Sequence, residues 1–536
     1  MAAAARSEFA ASERPAMPGG PYTPSHPTSR KIGYVVTGLT IALLSTFANA
    51  LVSDNLAAVA GEYGLYSAEA SWLLVGYTGM SASASLFVIK GRQQFGIARI
   101  MTVLLVCYAL AALLEIVFPS FATALLARCT NGTVTSTGVA MGVYYVLEAL
   151  PPAKRPASIP IILGCAQISA PLARLVPVDL ITSNGNHAVG LIDLAIPLIE
   201  LTLIIAWPLP PTPTSKVFEP LDALMLGLLL PGLVLLVAVL TLGRIHWWSD
   251  TPWIGWLLVF AVPLLALGAI VEFSRTRPAL YVGWMSQADI LRFAAVAFFE
   301  RIAVAEQGYG AVGLLSAAGL DNDQFHGLFV VVILAMIAGI GVVVVTLGQK
   351  MIAIQIIGAM LLIGAAGWID SFSNGLTRGR DLVFTQAMIG FGTTLFVGPA
   401  LLYGILRVMQ SGPRYLLSLV MVFSFTQNVG SLTGSALLSS YQYEQARMHA
   451  RVIDDSLSAD RPEVAGRIAA LAPSHSATST LGANALASSA AGQANILGFL
   501  DTFRLVTVIS LVGAIVVAGA ALRAAITRRS KERHAG

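Results

Sequence analysis

Apolar residues fill this chain in long runs, broken by short polar stretches at nearly regular intervals. The runs measure about 18–25 residues, and about 20 helical residues at ~1.5 Å rise cross a hydrocarbon core of ~30 Å. Runs of that length predict bilayer-spanning helices rather than strands or a water-soluble fold. Some fourteen spans are expected, over residues 32–53, 70–89, 97–118, 121–147, 157–178, 188–209 and 221–243. The others are 253–273, 290–317, 325–347, 351–369, 382–406, 415–440 and 499–523. An even number places both chain ends on the same side.

Punctuation between the runs suggests the organisation. Residues 1–31 are rich in Ala, Ser and Pro and lack the basic-then-apolar order of a signal peptide. They are expected to be a disordered cytoplasmic tail ahead of an uncleaved first span. Residues 32–209 would form an N-terminal six-helix bundle, and 210–273 a proline connector with two inserted helices. Residues 274–523 would form a C-terminal six-helix bundle, and 524–536 a basic cytoplasmic tail. That second bundle includes a long extracytoplasmic loop at 441–498, expected to be partly helical over 441–472 and loose over 473–489. Two six-helix halves around an inserted pair is a repeat architecture typical of secondary transporters.

Charge gives the layout an orientation. Of 536 residues, 56% are hydrophobic and only 11% charged, which suits a lipid solvent. The net charge of +4 is too small to argue for a nucleic-acid partner. Basic residues gather in alternate loops: Lys90, Arg92 and Arg99; Lys154 and Arg155; Lys216; Arg275 and Arg277; Lys350; Arg407 and Arg414. The positive-inside rule puts these loops and both tails in the cytoplasm of a plasma (inner) membrane. Arg378 and Arg380 run against the pattern. Cys107, Cys129 and Cys165 all fall within apolar runs and read as small packing residues.

Several devices are missing. The sequence has no G-x-x-x-x-G-K-[ST], H-E-x-x-H, C-x-x-C or G-x-S-x-G. No enzyme, cofactor or metal centre is therefore expected, nor ATP use through a phosphate loop.

Scattered motifs, in order, carry a resemblance. Trp72 and Tyr77 stand as W-x-x-x-x-Y, and Arg128 to Gly132 reads Arg-Cys-Thr-Asn-Gly. Gly138 and Gly142 follow at a spacing that lets helices approach, then Pro151, Pro152 and Arg155. Gln427 to Gly434 is Gly-rich, and Gln493, Ala494, Asp501 and Phe503 lead into the last run. With these the chain resembles the major facilitator superfamily, most closely its drug:proton antiporter branch of fourteen spans. The resemblance implies an all-α membrane fold of two six-helix bundles plus two linker helices. It also implies proton-coupled export, with a periplasmic adaptor and an outer-membrane channel as partners. Three departures stand out: Gln93 where the loop after span two usually holds an acid, Asn49 where span one commonly carries Asp, and a span-five motif reduced to Gly164 and Ala170-Pro171.

Charges inside the runs are the candidate chemistry, because a charge at the bilayer centre costs about 2.5–3.5 kcal/mol on insertion scales. Asp54, Arg128, Arg174, Asp193, Glu200, Glu300, Arg301 and Glu306 are candidates for proton coupling or ion pairing. Counted from an outer turn near Ser183, Arg174 and Asp193 lie level, which allows a salt bridge between them. Arg128 could pair with Glu115. Asp193 and Glu200 are seven residues apart and so share a helix face. Glu300, Val304 and Gln307 share another. Gln167, Phe298, Phe299, Gln307 and Gln427 are candidates for lining a substrate cavity. Glu148, Glu272 and Asp179 sit at span ends and read as interfacial. The function expected is secondary active transport of small amphipathic organic compounds by alternating access, with export leading; solute import or a non-transporting scaffold or sensor are the alternatives.

Overall fold

A computed structural model describes residues 13, 15, 19–182, 188–275, 278–457, 461–471 and 479–535. The turn near Ser183, Arg277, about half of the N-terminal tail and the whole 473–478 stretch lie outside them. All regular structure among the described residues is helical.

The N-terminal helices are α1 (Thr28–Asp54), α2 (Leu56–Glu62), α3 (Ser67–Phe95), α4 (Ile97–Val117) and α5 (Phe121–Ala149). They continue through α6 (Ser158–Gln167), α7 (Ser169–Ala173), α8 (Val178–Thr182) and α9 (Ala188–Ala206). Next come α10 (Pro220–Leu242), α11 (Pro252–Ser274), α12 (Val282–Met285), α13 (Ala288–Ala305) and α14 (Val312–Ala317). The remainder are α15 (His326–Val345), α16 (Ile352–Asp370), α17 (Gly379–Ser411), α18 (Leu416–Ser456), α19 (Pro462–Leu471) and α20 (Ser479–Ala535). Among the described residues, eleven helical segments are long and apolar enough to cross a membrane by length and composition. The helices α3, α5 and α13 lie where three other spans are expected.

Close backbone approach explains how the polar helices α3 and α5 pack. A Cβ on Gly132 would strike the Tyr77 carbonyl oxygen and come within 3.1 Å of the Ser81 nitrogen. The helices α1, α3, α4, α5 and α9 pack together, as do α13, α15, α16, α17, α18 and α20. The pair α10 and α11 packs on itself and on α3. At the end carrying Lys90, Gly96 (φ 85°) turns α3 into α4 in the left-handed region open to glycine. That end is called the basic end below, and the end carrying Asp54 the opposite end.

Four expectations change. The described part of the tail is packed rather than loose: Tyr22 is buried, its N–H donates to the Pro211 carbonyl at 3.0 Å, and His26 meets Glu148 at 3.1 Å. The region expected to be a loop is largely helix. α18 has 41 residues and α20 has 57, so at ~1.5 Å per residue both exceed a ~30 Å core about twofold or more. They project as a pair tied by Gln442 Nε2 to Asn495 Oδ1 at 2.6 Å and His449 to Asp501 at 2.7 Å. Residues 479–489, expected to be loose, are the start of α20, which also runs on through the expected tail. Finally, Cys107 is exposed on the outer face of the helices rather than packed inside.

Candidate functional site

A cavity of about 1320 Å³ lies between the N-terminal and C-terminal helices. It extends from Asp54 and Leu56 at the opposite end to Arg92, Pro152 and Arg155 at the basic end. There Pro15, Gly20, Pro21 and Thr23 of the N-terminal segment also line it. Of the sequence candidates, Asp54, Gln167, Arg174, Arg301, Gln307 and Gln427 line the cavity. Phe298 and Phe299 do not. Phe298 packs instead toward Gly430, its Cδ2 3.3 Å from where a Cβ there would sit.

Helix register explains this. The cavity stripe on α13 and its continuation is Arg301, Val304, Ala305 and Gly308, the i, i+3, i+4, i+7 rows of one face. Glu300 falls on the neighbouring face, is 1% exposed, and has no hydrogen-bond partner on either carboxylate oxygen among the described residues. Arg301 points the other way and donates from Nη1 to Gln167 Oε1 at 3.2 Å, joining the two groups of helices. Straight after it the backbone widens into a π-helix over Glu306–Ala311, a feature common at functional sites.

The ion pairs differ from those expected. Asp193 pairs with Arg128, not Arg174, and also accepts from Tyr108 Oη at 3.0 Å. Arg128 donates in addition to the Ala48 carbonyl at 3.0 Å, and both partners are at most 2% exposed. Glu115, the alternative partner for Arg128, instead accepts from Tyr63 Oη at 2.5 Å. Burial first, then Glu115, raise the Tyr63 phenol above its ordinary range. Arg174 reaches Asp54 at 3.3 Å and Asn322 Oδ1 at 3.4 Å, while the Val178 N–H donates to Asp323 Oδ1 at 3.2 Å. Residues from both groups of helices thus meet at the opposite end. Glu200 does lie on the face of α9 that holds Asp193; it is buried and accepts from Ser45 Oγ at 2.9 Å.

Glu306 sits in a cluster that the sequence left unmarked. Gln386 Nε2 donates to Glu306 Oε1 at 3.1 Å and to Asp370 Oδ2 at 3.1 Å, and all three are buried. Gln307, at the cavity wall, donates to the Gln386 carbonyl at 3.2 Å. Asp370 closes an apolar run and Gln386 lies inside one, so an in-span polar residue was the available signal.

At the basic end, Glu148 and Glu272 are buried rather than interfacial, Glu148 against the His26 imidazole and Glu272 in an ion pair with Arg275. Lys90 meets Asp222 at 2.6 Å. Arg275 meets Glu272 at 2.6 Å, Glu219 at 2.8 Å and Asp222 at 2.9 Å. Burial works to lower the Arg275 pKa, but its bonds to Glu219, Glu272 and Asp222 outweigh that and raise it. Although Gln93 replaces the usual acid, this loop is still fastened: the Gln93 carbonyl accepts from Ser215 N–H at 2.9 Å and Gln94 Oε1 from Phe218 N–H at 3.1 Å.

Neither a sequence family nor a curated protein matches the chain. Solved structures do. The human organic anion transporter MFSD10 superposes with a TM-score of 0.53 at 15% identity, covering 91% of this chain and 100% of that one. A bacterial homologue of the human drug peptide transporters PepT1 and PepT2 gives 0.55 at 14%, covering 93% and 99%. The proton:xylose symporter XylE, a major facilitator superfamily protein, gives 0.52 at 11%, covering 91% and 95%.

This chain has the major facilitator fold. The cavity lies between the N-terminal and C-terminal groups of helices, and residues of both groups meet at its opposite end.

Proposed function

We propose that this chain is a secondary transporter that exports small amphipathic organic compounds in exchange for protons by alternating access. The observation that carries the reading is the large cavity between the bundles, flanked by buried carboxylates on both sides. The neighbours in fold are named as transporters of organic anions, peptides and a sugar, which supports a small organic cargo. The motifs around Trp72, Arg128 and Gln427 favour the drug:proton branch of fourteen spans, with both ends in the cytoplasm of the inner membrane. The projecting α18–α20 pair would then face the periplasm and offer a surface to an adaptor.

The contacts of Arg174 with Asn322 and of Val178 with Asp323 join the two groups of helices at one end, whereas Lys90, Asp222 and Arg275 fasten α3 to α10 and α11 at the other. Separating the two groups at the first of these ends breaks contacts made by charged side chains, so occupancy and protonation can bias that step. A buried carboxylate without a partner can bind a proton to meet the cost of leaving water. Glu300 is such a group, and Gln307 and Gln386 connect the cavity wall to Glu306 and Asp370 by hydrogen bonds. A proton moving inward across an inside-negative membrane releases about 2.3 kcal/mol per 100 mV.

The experiment is dye accumulation in cells with and without a protonophore, for wild type, Glu300→Gln and Glu306→Gln. Wild type is expected to lower accumulation only while the proton gradient stands, and both variants to lose that effect. Wild-type extrusion that survives the protonophore rejects proton coupling; accumulation equal to empty vector across a broad panel rejects export.

A further inference from the structure

Among the described residues, the charged ones lining the cavity are Asp54, Arg92, Arg155, Arg174, Arg244 and Arg301, five cations to one acid. The single acid is already taken up by Arg174. Arg244 lies over the Tyr443 ring, 4.4 Å from its centroid, near the basic cavity's far wall on α10 and α18. Arg301, beside the π-helix, has no ion-pair partner among the described residues. Among those residues its hydrogen bond goes to the neutral Gln167 amide, and its Nε is buried with no partner.

A second unpaired group stands nearby. Gly430 brings α18 against Arg301, whose Cβ would be 3.1 Å from a Cβ placed there. Gln427 is one helical turn earlier, lines the same cavity, and has no hydrogen-bond partner among the described residues for either Oε1 or Nε2. A guanidinium without an ion-pair partner is costly to hold within a membrane. Carboxylate and sulfonate groups match its planar fork and form charge-assisted bonds with it.

We propose that the cavity takes amphipathic organic anions, whose acid group lies on Arg301 between Gln167 and Gln427. Val397, Leu401, Val420 and Phe423 offer the apolar wall for the rest of the molecule. An organic cation would meet the unbalanced arginines and be repelled. The inference rests on the transport reading above and adds the charge of the cargo. An anion leaving an inside-negative cell also moves down the electrical potential.

The test compares two xanthene dyes of similar size, fluorescein as the anion and rhodamine 6G as the cation. Binding to the purified full-length protein in nanodiscs is read by fluorescence anisotropy. Wild type is expected to bind fluorescein at least about tenfold more tightly than rhodamine 6G. Losing one charged hydrogen-bonding partner should weaken fluorescein binding about tenfold or more in Arg301→Ala, with little change for rhodamine 6G. Arg301→Lys should fall between, since it keeps the charge and loses the fork. Should Arg301→Ala fail to fold, Gln427→Ala reads the same site and should weaken fluorescein alone. No fluorescein binding, tighter binding of the cation, or unchanged binding in Arg301→Ala overturns the proposal. The same dyes are then followed in proteoliposomes. Binding of fluorescein without movement counts against the transport reading and leaves the anion assignment standing. Movement of rhodamine 6G alone does the reverse.

Discussion

Replacing Asp193 by Asn tests whether the core of the N-terminal bundle depends on one buried ion pair. Asp193 is 0% and Arg128 2% exposed, so neither charge has water to fall back on. At the ~2.8 Å usual for charge-assisted bonds and an effective dielectric of ~20, the attraction is about 6 kcal/mol. Desolvation offsets much of it, so the intact pair adds little net stability. Removing one member is different, because the other charge stays buried. In Asp193→Asn the Arg128 guanidinium keeps the Ala48 carbonyl but no anion. The expected loss is about 3–5 kcal/mol. The assay is SDS-induced unfolding in mixed micelles, followed by helical circular dichroism, for wild type, Asp193→Asn, Arg128→Met and the double Arg128→Met/Asp193→Leu. The double variant should regain most of the loss, since apolar groups of similar volume replace the pair. A single-variant loss under about 1 kcal/mol, or a coupling energy under about 0.5 kcal/mol, would refute the reasoning.

Three further outcomes are expected. Arg275→Ala leaves Glu272 without its ion pair and Asp222 with Lys90 alone, and should lower the thermal midpoint measured by tryptophan fluorescence, with Arg275→Lys recovering only part because an ammonium cannot fork to three carboxylates. Gly132→Ala places a methyl against the α3 backbone and should cut the yield of monodisperse protein on size exclusion, whereas Gly255→Ala, with open space around it, should not. His26, which lines up with Glu148, has its pKa lowered from 6.5 by burial and by Arg30 and Lys31. A group with a depressed folded-state pKa resists protonation when packed. Docking of the N-terminal segment should therefore be complete above about pH 6.5 and weaken as pH falls below it. Hydrogen exchange over residues 19–27 at pH 7.5 and 5.5 measures this, and equal protection at both would contradict it.

Much of the cavity was readable in advance. Asp54, Gln167, Arg174, Arg301, Gln307 and Gln427 are polar residues in apolar runs, and a polar side chain there must face a partner or a cavity. The same signal was present at Asp370 and Gln386 and was passed over at both. Arg92 and Arg155 were read only as loop charges that set orientation, yet they also line the cavity mouth. Phe298 and Phe299 were misplaced because an aromatic next to a charge is near it in sequence but on a different face of the helix.

Span length, helical structure and the basic loops are local properties, fixed by hydrophobic run length and by the cost of moving charge across lipid. The sequence alone determined them, and with them a multi-pass helical protein. Partner choice is not local. Counting from a turn gives a residue's depth along its helix but neither its direction around the axis nor the helix it faces. Arg174 and Asp193 were level by that count, yet packing of α4, α5 and α9 gave Asp193 to Arg128 and Tyr108, and left Arg174 to Asp54 and Asn322. Only the tertiary structure could decide that Arg301 would stand in the cavity with no ion-pair partner among the described residues, because that depends on which helices stay away from it.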